Sequence, residues 1–478
     1  MKAIVANLGF ILQTTGVLTL LAVVPASIYG EQPSLIAFLI TSVTFLAAGF
    51  GMNSLSQRKE LDFKSSCILI SMVFFLLGII GSIPYFYTNI FASSGVWLKI
   101  TNSIFESVSG YTTTGYSMII NLDSLPRSIV LYRSMTQWIG GIGIVFIIMV
   151  FFNSNDTLEK LGKAIGFQKM TATMTKTYLR IFGIYTAYTV LFFGILFATG
   201  LRDWVNNISV VFSAISTGGF SPVDNFSALI AFPNNLIISL LMIIGGTSLT
   251  VHYRIFTGNF KKAANLEFVV FISIIILFAI IFTLLTKVDI ATSLFHIASA
   301  SSTAGFSFID LSNLAVSAKM LLFILMFIGG STSSTAGGVK IMSIIIFVKS
   351  IPWVVKGVIT GNLSKFVVRG KEFTYIDIYA ALLLITIAIV IIVGFAFIFT
   401  SFGISLTDSV FALTSALSNT GLYAGIINNS LPMLLKLILI LVMIVGRIGI
   451  ITLLVAMTPK PAGSIPLKPD TARPDNVP

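Results

Sequence analysis

The chain has 478 residues, of which 56% are hydrophobic and only 10% charged, against about 25% charged residues in soluble domains, so a soluble globular protein is excluded. A net charge of +12 would suit a nucleic-acid binder, but the cations lie in loops between apolar runs and read instead as the positive-inside bias of a membrane protein. One cysteine, Cys67, and two distant histidines, His252 and His296, allow no internal disulfide and no Cys- or His-based metal cluster, which leaves catalysis few candidates.

A helical crossing needs about 20 consecutive apolar residues. The first run opens at Ala3 and gives a span at 9–29. It is too long for a signal-peptide core, and a second span at 35–55 follows after a short turn, so the two read as a retained helical hairpin. Spans at 66–87 and 129–152 follow, with a shorter apolar segment at 98–109 between them. The same arrangement recurs three times: 180–200 and 235–253 around 204–215, 266–285 and 319–349 around 291–300, and 376–400 and 434–457 around 406–417. The short segments, of about 10–12 residues, cannot cross and suit re-entrant helices. The chain thus divides into a hairpin (1–63), four span–short helix–span units (64–155, 156–262, 263–372 and 373–458) and a tail (459–478). The expected fold is an all-α polytopic membrane protein with the four units around a central pore and the second helix of the third unit broken.

Charge sets the expected orientation. Arg58, Lys59, Lys64, Lys160, Lys163, Lys169, Lys176, Arg180, Lys261, Lys262, Lys356, Lys365, Arg369 and Lys371 fall in one alternate set of loops; Lys99, Arg127, Arg202, Lys287 and Lys319 fall in the other. The first set, with both termini, is expected on the cytoplasmic side. All four short segments then enter from outside.

Each short segment ends in a similar pentapeptide: Thr112-Thr113-Thr114-Gly115-Tyr116, Ser216-Thr217-Gly218-Gly219-Phe220, Ser302-Thr303-Ala304-Gly305-Phe306 and Ser418-Asn419-Thr420-Gly421-Leu422. Non-helical backbone survives at membrane depth only where it lines water or is buried in protein. Four such loops around one axis meet those terms, and glycine allows the backbones to approach closely. Loop carbonyls and Ser/Thr hydroxyls are expected to face the axis and replace an ion's hydration shell. The partly negative C-terminal ends of the short helices favour a cation there. With no carboxylate in the pentapeptides, a monovalent ion fits better than Ca²⁺, which wants acidic ligands.

These residues resemble the Trk/Ktr/HKT superfamily of K⁺ transporters, in particular its TrkH-type membrane subunit. Phe105-Glu106-Ser107-Val108-Ser109-Gly110-Tyr111-Thr112-Thr113-Thr114-Gly115 is similar to the family's first filter, and Ser213-Ala214-Ile215-Ser216-Thr217-Gly218-Gly219-Phe220-Ser221 to its second. Trp138-Ile139-Gly140-Gly141-Ile142-Gly143 and Gly446-Arg447-Ile448-Gly449 match signatures outside it. The resemblance covers essentially the whole chain, N-terminal hairpin included. It implies K⁺ binding at the four loops, with Gly115 favouring K⁺ because Ser at that position accompanies Na⁺ permeation in some plant members. It also implies a homodimer in a bacterial inner membrane. A cytoplasmic nucleotide-binding regulatory subunit of the TrkA type would act on it, so that a nucleotide enters only through that partner and this chain carries no cofactor of its own. The basic stretches 160–176 and 356–371 would be either docking surfaces or contacts with anionic lipid. The fourth loop, with Asn419 and Leu422, departs most from the pattern.

The eighth span contains Gly329, Gly330, Ser331, Thr332, Ser333, Ser334, Thr335, Ala336, Gly337, Gly338, Val339 and Lys340. So many small and polar residues in mid-span read as a broken helix with a loop inside the bilayer. Small residues also make tight helix packing faces. The preferred reading is a gate below the four loops, comprising residues 330–338, Lys340 and Arg447. An intramembrane arginine is a functional candidate by default, and Arg447 is expected to face the pore and bond to the loop. Lys340 is either a snorkelling boundary residue or part of the gate. Glu106 either braces the first loop or draws in cations. Asp123, Asp224 and Asp310 are loop turns and caps rather than cation attractors at the mouth. Lys436 belongs to the outer end of the tenth helix. The expected function is gated K⁺ uptake. The alternatives are a secondary transporter coupling K⁺ to H⁺ or Na⁺, a Na⁺-permeable family member, and a membrane enzyme, for which no catalytic cluster exists.

Overall fold

The computed structural model describes residues 2–55, 61–92, 95–151, 174–362, 364–369 and 371–458. Arg58, Lys59, Lys160, Lys163, Lys169 and the tail 459–478 lie outside the described residues. Lys2–Ile28 and Gln32–Ser54 form the N-terminal hairpin. Its two helices approach at glycine: a Cβ built on Gly9 would lie 2.5 Å from Gly49 O, and one on Gly49 2.5 Å from Gly9 O. Ser42 Oγ donates to Gly16 O at 2.7 Å further along the seam. Contact between small residues gives dispersion gains where lipid offers no hydrophobic drive.

The four units follow in chain order. Their first helices are Phe63–Tyr87, Met174–Ala198, Leu266–Thr286 and Tyr375–Ser401. Their short helices, here termed pore helices, are Val96–Tyr111, Trp204–Ile215, Ile290–Ser301 and Leu406–Leu417. Asp203, Asp289 and Ser405 cap the N-termini of the last three, each side chain accepting backbone N–H groups of the first turn. The chain is therefore an all-α polytopic membrane protein. A small exception is the hairpin of strands Phe366–Val368 and Lys371–Phe373, which packs Phe366 on Trp353.

The second helices of the units differ from the expectation of a single break. In the first unit Arg127–Phe151 runs unbroken for 25 residues. In the second, Asn234–Gly246 and Leu249–Phe256 meet at 105°, and in the fourth Met433–Ile448 and Ile450–Met457 meet at 95°. In the third, Val316–Ile328 and Ile341–Thr360 are separated by residues 329–340. Three of the four second helices thus break, and the first does not. Gly449 (φ +87°) and Gly329 (φ +72°) supply backbone that other residues resist.

Side chains in the first turns of three second helices reach the next unit's pore helix. Arg127 pairs with Asp203 at 2.7 Å, Lys319 with Asp408 at 3.1 Å, and Lys436 donates to Asn102 Oδ1 at 2.7 Å and Asn429 O at 2.8 Å. Lys436 is fully buried, so it closes the seam between the fourth and first units instead of marking a free helix end.

Candidate functional site

The four pore helices end in one and the same way. Thr112, Ser216, Ser302 and Ser418 each close the last helical turn. The next residue, Thr113, Thr217, Thr303 or Asn419, is left-handed, with φ of +54°, +54°, +54° and +51°. The third residue's N–H then bonds back to the helix: Thr114 to Ser109 O at 2.9 Å, Gly218 to Ser213 O at 2.7 Å, Ala304 to Ser299 O at 2.8 Å and Thr420 to Ser415 O at 2.8 Å. The fourth loop, expected to be the odd one, has the same backbone as the others; asparagine tolerates this conformation better than threonine does. A β-branched residue held left-handed costs on the order of 1–3 kcal/mol and persists only where its surroundings fix it.

Those surroundings are the neighbouring loops. A Cβ built on Gly115 would lie 2.1 Å from Gly218 O, on Gly219 2.3 Å from Ala304 O, on Gly305 1.8 Å from Thr420 O, and on Gly421 1.9 Å from Thr114 O. Each glycine abuts the next unit's carbonyl, and the fourth returns to the first, so the loops close a ring. All four glycines also have positive φ, between +77° and +89°. No side chain fits at these positions without opening the ring.

The first hydroxyl of each loop turns away from the expected inward direction. Thr112, Ser216 and Ser302 donate to the carbonyl one turn back, Val108 O, Phe212 O and Ala298 O, at 2.7, 2.7 and 2.6 Å, and Ser418 Oγ pairs with Thr420 Oγ1 at 2.6 Å. The reason is local: a Ser or Thr at a helix end satisfies its hydroxyl on the i−4 carbonyl. The buried carbonyls of Thr113, Thr303 and Asn419 accept no protein donor among the described residues, which leaves them for another ligand.

Below the ring, glycine pairs of the second helices press on it. A Cβ on Gly140 would meet Tyr111 O at 2.0 Å, on Gly141 Ser216 Cβ at 2.8 Å, on Gly246 Ser302 Cβ at 2.8 Å and on Gly446 Leu417 O at 2.1 Å. Gly140, Gly141 and Gly446 of the signatures outside the loops, together with Gly246, are therefore seats on which the loops and the pore-helix ends rest.

Two residues bracing the ring escaped the sequence reading. Arg133 is buried and its Nε contacts Glu106 Oε1 at 2.9 Å. Its Nη1 donates to Ser221 O at 3.0 Å, and its guanidinium lies 4.2 Å from the centre of the Phe220 ring. Glu106 also accepts Ser117 Oγ at 3.0 Å and Met118 N at 3.0 Å, so its carboxylate braces the backbone leaving the first loop. Gln137 donates to Gly218 O at 2.6 Å and accepts Phe220 N at 3.2 Å. On one side of the ring a cavity of about 460 Å³ is lined by Gly115, Gly219, Gly305 and Gly421, with Asp224 and Asp310 at its wall. Asp224 accepts Leu122 N and Asp123 N at 3.0 and 3.2 Å, and Asp123 accepts Asp224 N at 3.3 Å. Asp310 holds Ser312, whose hydroxyl and then backbone N–H keep its carboxyl below the usual range.

On the opposite side of the ring, residues 329–340 contact three of its loops. Gly337 N donates to Thr303 Oγ1 at 2.7 Å, Thr335 Oγ1 donates to Ile215 O at 3.0 Å, and a Cβ on Gly337 would meet Ser418 O at 1.8 Å. Ser331 N and Thr335 N bond to Gly246 O and Gly245 O at 2.9 and 3.2 Å, and Leu249 N bonds to Ser333 O at 2.9 Å. Arg447 donates to Thr335 O at 3.2 Å, Gly140 O at 2.5 Å and Gly141 O at 3.1 Å. It thus bridges the first, third and fourth units. The Lys340 ammonium turns back onto Ala336 O, which is not a snorkelling geometry. Glu267, which the sequence reading passed over, receives Thr332 N at 2.5 Å and Thr332 Oγ1 at 2.7 and 2.8 Å.

Comparison with known proteins adds the following. The family model described as TrkH, cation transport protein, matches residues 34–297 and 287–465. An uncharacterized cation transporter of Methanocaldococcus jannaschii is 28% identical, over 95% of this chain and 94% of its own length. The Trk system potassium uptake protein TrkH of Escherichia coli is 28% identical, over 84% of this chain and 87% of its own. The crystal structure of the potassium transporter TrkH from Vibrio parahaemolyticus superposes with a TM-score of 0.83 at 25% identity, covering 96% of this chain and 98% of that one.

Proposed function

The chain belongs to the TrkH family of cation transport proteins, which makes it a transporter rather than an enzyme, and we propose that it is the membrane subunit of a K⁺ uptake system. The reading is carried by one observation: four loops of matching backbone close a ring in which each glycine meets the next loop's carbonyl. Such a ring offers buried, neutral carbonyl oxygens to a dehydrated monovalent cation. The pore-helix C-termini end at the ring and add partial negative charge. K⁺ enters from the outer cavity beside Asp224 and Asp310, is stripped of water at Thr112–Gly115, Ser216–Gly219, Ser302–Gly305 and Ser418–Gly421, and then meets residues 330–338.

That segment, with Lys340 and Arg447, is the gate. It lies against the underside of the ring, and its grip is charge-assisted through Arg447 and Glu267. Opening means releasing these bonds, which a cytoplasmic nucleotide-binding subunit would drive by moving the helices flanking the loop. The functional unit is a homodimer in a bacterial inner membrane with both termini cytoplasmic. The test is rescue of a bacterium that lacks its own K⁺ uptake. Growth on limiting K⁺, abolished by Gly305→Ala, is expected; growth unaffected by that substitution contradicts the reading.

A further inference from the structure

The first and third units share a brace that the second and fourth lack. Glu106 lies nine residues before Gly115, and its carboxylate accepts the N–H of Met118, three residues after that glycine, at 3.0 Å. His296 lies nine residues before Gly305, and its Nε2 accepts the N–H of Phe308, three residues after that glycine, at 3.4 Å. The corresponding residues of the other units, Val210 and Ala412, carry no side-chain acceptor. There Gln137 Oε1 holds Phe220 N at 3.2 Å and Tyr116 Oη reaches Leu422 O at 3.3 Å.

The partners fix the state of His296. Nδ1 lies 2.8 Å from Thr292 O, which can only accept, so Nδ1 carries the proton. Phe308 N–H can only donate, so Nε2 is bare. The ring is fully buried, with Phe308, Phe295 and Phe282 at 4.7, 5.5 and 6.4 Å between centres. Glu106 needs Arg133 as a counter-charge; a neutral imidazole accepts without one.

We propose that His296 is the positioning residue of the third loop, the neutral counterpart of Glu106, and that it fixes the backbone after Gly305 so that the ring prefers K⁺ over Na⁺. The preference for K⁺ rests on the filter reading above; the brace does not. Two readouts in the full-length protein in lipid vesicles separate them: hydrogen exchange of the Phe308 amide, and K⁺ against Na⁺ flux. His296→Leu is expected to speed that exchange about tenfold and to lower the K⁺ preference, while His296→Gln, whose amide oxygen reaches the same donor, keeps both. Unchanged exchange in His296→Leu, or equal loss in His296→Gln, overturns the brace. An altered exchange with unaltered ion preference overturns its role in selection. Should His296→Leu fail to reach the membrane, His296→Asn is compared with His296→Gln. The shorter amide is expected to lose what the longer one keeps, and equal behaviour of the two overturns the proposal. A wild-type protein without any K⁺ preference contradicts the filter reading, and the exchange arm still decides the brace.

Discussion

The ring and the segment beneath it solve opposite problems. The ring is built four times over, with left-handed residues within 3° of one another at φ +51° to +54° and one contact repeated around the circle. Its pentapeptides carry no charge. Residues 330–338 occur once, in one unit, and are gripped by unlike partners from the second and fourth units and from their own, including Arg447 of the fourth and Glu267 of the third. Symmetry suits a site that must present the same oxygens on every side. A single asymmetric element suits a part that must move, since breaking a few bonds at one place shifts it without disturbing the ring.

The comparison breaks most visibly at the ring. Gly305→Ala puts a Cβ where Thr420 O lies, a backbone atom with no rotamer to give way, and is expected to abolish measurable K⁺ preference in vesicle flux. Next comes the brace around the first loop. Arg133→Met leaves the Glu106 carboxylate buried and unpaired, with an expected destabilisation of about 3–5 kcal/mol, read as a lower unfolding temperature in detergent with a loss of selectivity. Arg447→Ala removes three charge-assisted bonds on the gate side. It is expected to raise basal flux by tenfold or more, at about 1.5–3 kcal/mol for a charged hydrogen bond, with the ion ratio unchanged. The smallest effect is expected from Glu267→Gln, which keeps the shape of the latch on Thr332 but not its charge. A loss of about 1 kcal/mol would raise basal flux about fivefold, again without altering the ratio. Movement of the ratio in either gate variant contradicts the division.

Much of this was legible in the sequence. The spans, the four units and the positions of the loop glycines follow from hydropathy and from a motif repeated at the same place in each unit. The breaks at Thr247–Ser248 and Gly449 were not, because a few small residues in an apolar run leave its hydropathy that of a continuous span. Nor was the regularity of the fourth loop. Asn419 looks unlike threonine as a side chain, yet among residues other than glycine asparagine is one of the types that most readily take the left-handed conformation the loop requires. Arg133 was legible but passed over: it sits inside the expected span 129–152, where the rule that flagged Arg447 applies equally. The inward turn of the Thr112, Ser216 and Ser302 hydroxyls was not met because a local competitor, the i−4 carbonyl, takes them. Partners distant in sequence, such as Glu267 with Thr332, or His296 with the backbone beyond its own loop, leave no trace in spacing.

The central claim is that selection and gating reside in separate regions. Its most direct test is K⁺ and Na⁺ flux through Gly115→Ser and Arg447→Ala proteins reconstituted side by side with the wild type. Gly115→Ser is expected to lower the K⁺-to-Na⁺ ratio, whereas Arg447→Ala is expected to raise both fluxes together at a constant ratio. A ratio that moves with Arg447→Ala, or stays fixed with Gly115→Ser, contradicts it.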